Sequence, residues 1–257
     1  MATKEITMAG HAVVGREEWL KARLIHLANE KALTRQRDAL AEERRELPWL
    51  VVEKKYIFDS PSGKKTLADL FGDKSQLLIY HFMLAPEWEQ GCQSCSLIAD
   101  TLDANYVHLT HRDSAFAAVS RAPVEKIEAF KKRMGWRFPW VSSFGSEFNY
   151  DFGVSFLPQD LARKNIYNFG TAGSPGGTEE APGMSAFAKG ENGEVFRTYS
   201  TYHRGVEALM GIYPELDMVS KGRDEAGLPW PMAWVRHHDL YEEQPKAKAE
   251  CCGAHGD

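Results

Sequence analysis

Leucines at 20, 24 and 27, and again at 33, 40 and 47, stand three, four or seven residues apart, with charged residues filling the gaps. This spacing predicts one apolar stripe on a long amphipathic helix over residues 16–47, either continuous or broken near Leu33-Thr34. Pro48 ends it. Such a helix serves either as an arm joining two copies into a homodimer or as an element packed across its own domain. The seam is short for a coiled coil, which favours the second use. Residues 1–15 read as a loose lead-in.

The next pattern is a continuous apolar run, Gln76-Leu-Leu-Ile-Tyr-His-Phe-Met-Leu84, of strand length. A polar connector, Ala85 to Gly91, leads to Cys92-Gln-Ser-Cys95, and Ser96 to Leu102 reads as helix. Upstream, Asp59-Ser-Pro-Ser-Gly63 is turn chemistry between Tyr56-Ile-Phe and Thr66 to Phe71. Downstream, Tyr106-Val-His-Leu109 reads as a short extended segment and Ala115 to Ser120 as a strand. Pro123 opens a helix from Val124 to about Met134. The order strand, helix, strand, helix implies a parallel sheet with right-handed crossovers.

Aromatic residues crowd positions 136–156 (Trp136, Phe138, Trp140, Phe144, Phe148, Tyr150, Phe152 and Phe156). Core and loop packing explains them best; an aromatic-lined cleft is the alternative. Residues 157–181 read as a long mobile loop. Asn192-Gly193 between the extended runs Met184–Lys189 and Glu194–Tyr199 is a hairpin signal. A last helix is expected over Gly205–Met210. The resulting division is an N-terminal helical extension (1–47), a main domain (48–215), a C-terminal extension packed on it (216–243) and a disordered tail (244–257).

A net charge of −5 gives no reason to expect nucleic-acid binding, and no apolar run is long enough to span a bilayer. The first residues lack the apolar core of a signal peptide, so the cytoplasm is the expected compartment. Four cysteines in 257 residues do not make a disulfide scaffold. In a reducing compartment, paired cysteines point to catalysis or metal binding.

At a strand-to-helix junction, Cys92 would sit near the helix N-terminus, where free amides and the helix dipole favour its thiolate. Cys95, one turn on, can attack a mixed disulfide formed at Cys92. The expected partner is a disulfide or thiol, on a protein or a small molecule. A metal reading pairs the two cysteines with His108-x₂-His111, close to a zinc-finger spacing. It is disfavoured because the histidines are one residue too close and His108 is expected in an extended run. Enzymes of the peroxiredoxin type resemble one another in a Pro-x-x-x-Thr/Ser-x-x-Cys motif. Here Ala85 and Glu89 precede Cys92 at those positions, and Trp88 and Cys92 precede Cys95, so the motif is absent. His111-Arg-Asp113 and Asp151-Phe-Gly153 imitate kinase signatures, but Ala118 stands where a kinase needs asparagine.

Other candidates read as structural. Arg112, Asp113 and Arg121 are expected as an ion-pair network, with a thiolate-stabilising Arg121 as the alternative. Glu87 and Glu89 read as solvated loop charges, His237-His238 as surface packing, and Cys251-Cys252 as a dispensable tail pair.

Several segments resemble a known family: His81-Phe-Met, Trp88 to Cys95, Val119 to Pro123, Arg133 to Trp136, Phe138 to Ser143, Asn149 to Phe156, Tyr199 to Tyr202 and Trp234 to Asp239. Together they are similar to DUF899, bacterial thioredoxin-like proteins regarded as dithiol–disulfide oxidoreductases. The resemblance runs from the N-terminal helix to His238. It implies an α/β thioredoxin-like fold, a central mixed sheet flanked by helices. It also implies Cys92 as attacking thiolate and Cys95 as resolving thiol. Exchange of this kind needs no organic cofactor, and no metal is expected; the alternatives are a non-enzymatic thioredoxin-fold binding protein, with zinc on the cysteine pair as one form of it, and a thiol peroxidase. Two departures from ordinary thioredoxins stand out. Gly91 precedes Cys92, with the tryptophan displaced to Trp88. The proline that thioredoxins hold opposite the cysteines corresponds to Pro182, or its place is taken by Met184 or Ser185. Trp88, Pro182, Met184 and Ser185 are therefore the expected substrate contacts.

Overall fold

The computed structural model describes residues 6–8 and 10–241, which divide between Pro48 and Trp49 into two compact units. The tail expected to be disordered and the Cys251-Cys252 pair lie outside the described residues.

In the first unit the lead-in forms a small antiparallel hairpin, β1 (Ile6–Met8) with β2 (His11–Val13). Except for Leu47, which lies beyond its end, the leucine stripe lies on one unbroken 30-residue helix, α1 (Arg16–Arg45). Glu17 and Glu18 occupy its first turn and Arg44 and Arg45 its last, so both ends suit the helix dipole. No residue of α1 is buried within its own unit.

The second unit is built on an eight-stranded mixed sheet. Its elements are β3 (Leu50–Val51), β4 (Ile57–Ser60), β5 (Gly63–Thr66), β6 (Gln76–His81), α2 (Gln93–Thr110), β7 (Ser114–Ser120) and α3 (Val124–Met134). They continue with β8 (Trp140–Ser142), α4 (Phe148–Asp151), β9 (Gly183–Lys189), β10 (Val195–Tyr202) and α5 (Ile212–Leu216). The strand order is β3-β10-β9-β6-β7-β8-β4-β5. β6, β7 and β8 run parallel, β9 runs antiparallel to β6, and β10 antiparallel to β9. The unit β6-α2-β7-α3 followed by the hairpin β9-β10 gives the central order β7-β6-β9-β10. This is the thioredoxin-like arrangement: an α/β fold with a central mixed sheet flanked by helices.

β6 is buried on both faces, and its side chains alternate between two cores. Tyr80, and Phe82 just beyond the strand, face a core with Cys95, Ile98, Phe116, Phe130, Trp136 and Trp140. Leu77 and Ile79 face the other, with Val119, Phe148, Phe152 and Phe187. The crowded aromatics are mainly core: Trp136, Phe138, Trp140, Phe148, Phe152 and Phe156 are buried, whereas Phe144 is exposed.

Some local expectations are corrected. Tyr106 to Leu109 is helical, not extended. Leu102, Tyr106 and Leu109 recur at four and three residues and pack against the first core, so α2 gains by continuing. Residues 203–209 form a 3₁₀ helix, and α5 follows it. The segment 157–181 is tied down rather than loose: Ser155 bridges Glu180, Tyr167 bridges Ala172, and Tyr167 is buried. In the C-terminal segment Val235 and His237 are buried. No helix among the described residues is long and apolar enough to cross a membrane.

Candidate active site at the Cys92 and Cys95 pair

The connector from β6 to α2 is held at several points, and these fix the first cysteine. The Cys92 amide donates to the Met83 carbonyl (3.1 Å). Lys126, on α3, donates to the carbonyls of Pro86 (2.5 Å) and Trp88 (3.0 Å). His237 Nε2 lies 2.9 Å from the Gly91 carbonyl and donates to it, the carbonyl having no proton to give. Gly91 is the departure noted in the sequence, and packing explains it. A Cβ there would stand 2.6 Å from the Phe82 ring and 2.7 Å from the Phe130 ring, closer than real contacts allow. The residue before Cys92 must be glycine for the loop to lie this deep, and Trp88 packs against the core instead.

Cys92 is the N-cap of α2, with Ser94 and Cys95 in the first turn. Its thiol is half-buried, while Cys95 is 1% exposed; both are free. The two environments push the thiols apart. Hydrogen bonding from the Cys95 thiol, helped by the amides of Cys95 and Ser94 and the Ser94 hydroxyl, brings Cys92 down to about 7 against the opposing effect of burial. Burial, reinforced by a Cys92 thiolate, raises Cys95 well above the ordinary thiol range. One thiol is thus ionised near neutrality, and its neighbour holds a proton.

Tyr80 was not singled out from the sequence. Fully buried on β6, its hydroxyl donates to the Cys95 carbonyl at 3.5 Å and interacts with the Cys95 thiol. A tyrosine in an apolar strand reads as packing; only the crossing of β6 beneath α2 reveals its neighbour.

The cysteines line a cleft of about 700 Å³. Pro182, just before β9, lines it too, in a trans peptide, since no described peptide bond is cis. Met184 and Ser185 do not line it. Met184 is buried in the first core. Ser185 points to the other face and hydrogen-bonds His81 Nε2 (2.8 Å) and Ser200 Oγ (2.8 Å). Alternation along β9 separates the two. Of the four expected substrate contacts, Pro182 alone borders this cleft.

The remaining candidates resolve by geometry. His108 and Cys95 share one helix thirteen residues apart, about 20 Å at 1.5 Å per residue, too far to share an ion. The metal reading is therefore disfavoured by distance rather than by the extended conformation first expected. Among the described residues no group of three or more histidine, cysteine, aspartate or glutamate side chains could hold a metal ion. The expected network of Arg112, Asp113 and Arg121 does not form as such. Asp113 accepts from the Ser75 amide (3.0 Å) and hydroxyl (2.5 Å). Arg121 is engaged by Glu180 (2.5 Å), Tyr150 (2.8 Å) and Glu179 (3.5 Å), which removes it as a free partner for a thiolate. His237 is buried against the cysteine loop, not on the surface, while His238 turns away to Asp100 (2.8 Å). Glu87 and Glu89 are exposed, as expected.

The family model DUF899, "Bacterial protein of unknown function", matches residues 8–241. The chain belongs to the DUF899 family. No curated protein matches it. Among solved structures, this DUF899 chain is similar to a cysteine-to-serine mutant of PrxQ from Xylella fastidiosa, at 14% identity over 65% of this chain and 94% of that one, with a TM-score of 0.42. It is also similar to the peroxidoxin BcpB from Mycobacterium tuberculosis, at 12% identity over 63% and 92%, TM-score 0.42. A third is a mitochondrial 2-Cys peroxiredoxin from Plasmodium falciparum, at 13% identity over 65% and 92%, TM-score 0.39.

Proposed function

We propose that this DUF899 chain is a dithiol–disulfide oxidoreductase. The observation that carries the reading is the asymmetry of the pair: a half-buried Cys92 with its thiol brought to about 7 at the start of α2, and a buried, protonated Cys95 one turn on. The Cys92 thiolate attacks one sulfur of a substrate disulfide. A bond forms between Cys92 Sγ and that sulfur, the substrate S–S bond breaks, and the other half leaves as a thiolate that takes a proton from water. Cys95 then loses its proton and attacks Cys92 Sγ, releasing the second half as a thiol and closing a Cys92–Cys95 disulfide. The substrate gains two electrons and the protein dithiol loses two; a thiol reductant restores the dithiol. Run backwards, the same steps oxidise a substrate dithiol. No organic cofactor enters either direction.

The test is a pair of variants given a model disulfide. Cys92→Ser is expected to abolish exchange at the site, and Cys95→Ser to stop it at a stable mixed disulfide on Cys92. Undiminished exchange at the site in Cys92→Ser would overturn the assignment.

A further inference from the structure

Ordinary dithiol exchange needs only an exposed sulfur. Here the chain folds back over the pair. The 3₁₀ helix His203–Leu209 and the segment 223–232 of the C-terminal extension line the cleft on which Cys92 and Cys95 open. The segment is held in place from within. Glu225 accepts hydrogen bonds from Tyr213 Oη (3.0 Å), the Met232 amide (3.0 Å) and Trp234 Nε1 (2.8 Å). Arg223 donates to Glu207 (2.6 Å) and, with two nitrogens, to Asp217 (2.8 Å each), and its guanidinium lies 3.8 Å from the centre of the Tyr213 ring.

Glu207 and Asp217 are thereby committed to Arg223, and Glu207 also pairs with Arg204 (3.0 Å), while Glu225 is committed to three neutral donors. Apart from Ser94, His203 and the Glu207-paired Arg204, what remains for a ligand beside the sulfurs is largely apolar: Met83, Ile98, Val206, Met210 and Met232. The volume, about 700 Å³, falls in the range of about 300–1,000 Å³ that encloses small molecules.

Resting on the dithiol reading above, we propose that the substrate is a small, uncharged, apolar disulfide bound within this cleft, and not a disulfide on a protein surface. The reaction is R–S–S–R plus the Cys92/Cys95 dithiol giving two R–SH and the Cys92–Cys95 disulfide. Met210 and Met232 contact the R groups, and thioethers with several rotatable bonds suit apolar groups of varied shape.

The experiment uses the full chain, reduced, and maps formation of the Cys92–Cys95 disulfide by mass spectrometry. The oxidants are diethyl disulfide (small and apolar), glutathione disulfide (charged) and insulin (a protein). Each rate is divided by the rate of the same oxidant with dithiothreitol, which removes intrinsic reactivity. The expected result is a preference for diethyl disulfide of about tenfold or more over both others, the discrimination an apolar pocket supplies. Met232→Trp, which fills the cleft from a half-buried position, is expected to erase that preference by slowing diethyl disulfide more than the other two oxidants; Met210→Trp serves if the first variant does not fold. Equal normalised rates, or an unchanged preference in a cleft-filling variant that melts like the wild type, would overturn the substrate class while leaving the dithiol reading intact. Failure of all three oxidants to form the Cys92–Cys95 disulfide would remove both.

Discussion

On one face of β6, Tyr80 stands beside a buried thiol; on the other, the next residue, His81, stands among phenylalanines. Both are essentially inaccessible to water, yet only one borders chemistry. Cys95 opens on a cleft and sits in the first turn of a helix, so its proton and its partner Cys92 can respond to a substrate. His81 is stacked on Phe148 and lies 5.5 Å from the Phe152 ring, with Ser185 on Nε2. Ser185 continues through Ser200 to Arg197, and Arg197 to Tyr202. That chain links buried polar groups across three strands, though His81 Nδ1 is left without a partner, and leads to no cleft that the cysteines line. Burial alone therefore does not mark a functional group; a helix terminus and an open path to it do.

This contrast can be broken at either face, and the largest effect is expected at the cysteine face. Cutting away the aromatic support with Phe82→Ala should cost about 3–5 kcal/mol of stability, measured by chemical denaturation, because Phe82 is 1% exposed and its neighbours cannot close the gap. Gly91→Ala should cost about 1–3 kcal/mol by overpacking against Phe82 and Phe130. It should also slow exchange, since relief of the clash must move the loop that ends at Cys92. Tyr80→Phe removes one hydroxyl and should slow the resolving step about threefold to tenfold, the worth of one hydrogen bond, while leaving the attack by Cys92 unchanged. Rapid-quench trapping of the mixed disulfide separates the two steps; equal slowing of both would contradict the role given to Tyr80.

The two faces should also differ in their response to pH. The Cys92 thiol, lowered to about 7, predicts an attack rate that rises through neutrality and levels off above it, whereas an ordinary thiol would still be gaining near pH 9. His81 acts on stability instead. Burial, with some repulsion from Arg197, lowers it from 6.5 to about 3, so the folded chain holds it neutral where the unfolded chain takes up a proton. Its contribution is complete above pH 6.5 and is lost as pH falls from there toward 3. His81→Gln should flatten that part of the stability profile and leave exchange at pH 7.5 within a factor of about two. A wild-type stability profile as flat as the variant's would remove this account of His81.

Much of the architecture was legible because it rests on local periodicity. The leucine stripe of α1 repeats its signal turn after turn, and the runs of β6 and β7, Pro123 before α3 and Asn192-Gly193 between β9 and β10 each carry theirs within a dozen residues. The tail of α2 was misread because Tyr106-Val-His-Leu109 has strand-like residues, and packing on the first core outweighs that preference. The cysteine pair was found from its spacing and its place after a strand. Its supports were not: His237 reaches Gly91 across 146 residues, and Glu225 organises a wall from a segment with no regular pattern. Ser185 and Met184 were placed near the substrate by proximity to Pro182 in sequence. The alternation of β9 sends one into each core.

The most direct test of the central claim is the redox equilibrium of Cys92 and Cys95 in the full chain, titrated against glutathione and dithiothreitol buffers and read by mapping the disulfide. A reversible Cys92–Cys95 disulfide with a midpoint between roughly −270 and −120 mV, the span of known exchange proteins, is the expected result. Thiols that stay reduced across the whole series would contradict it.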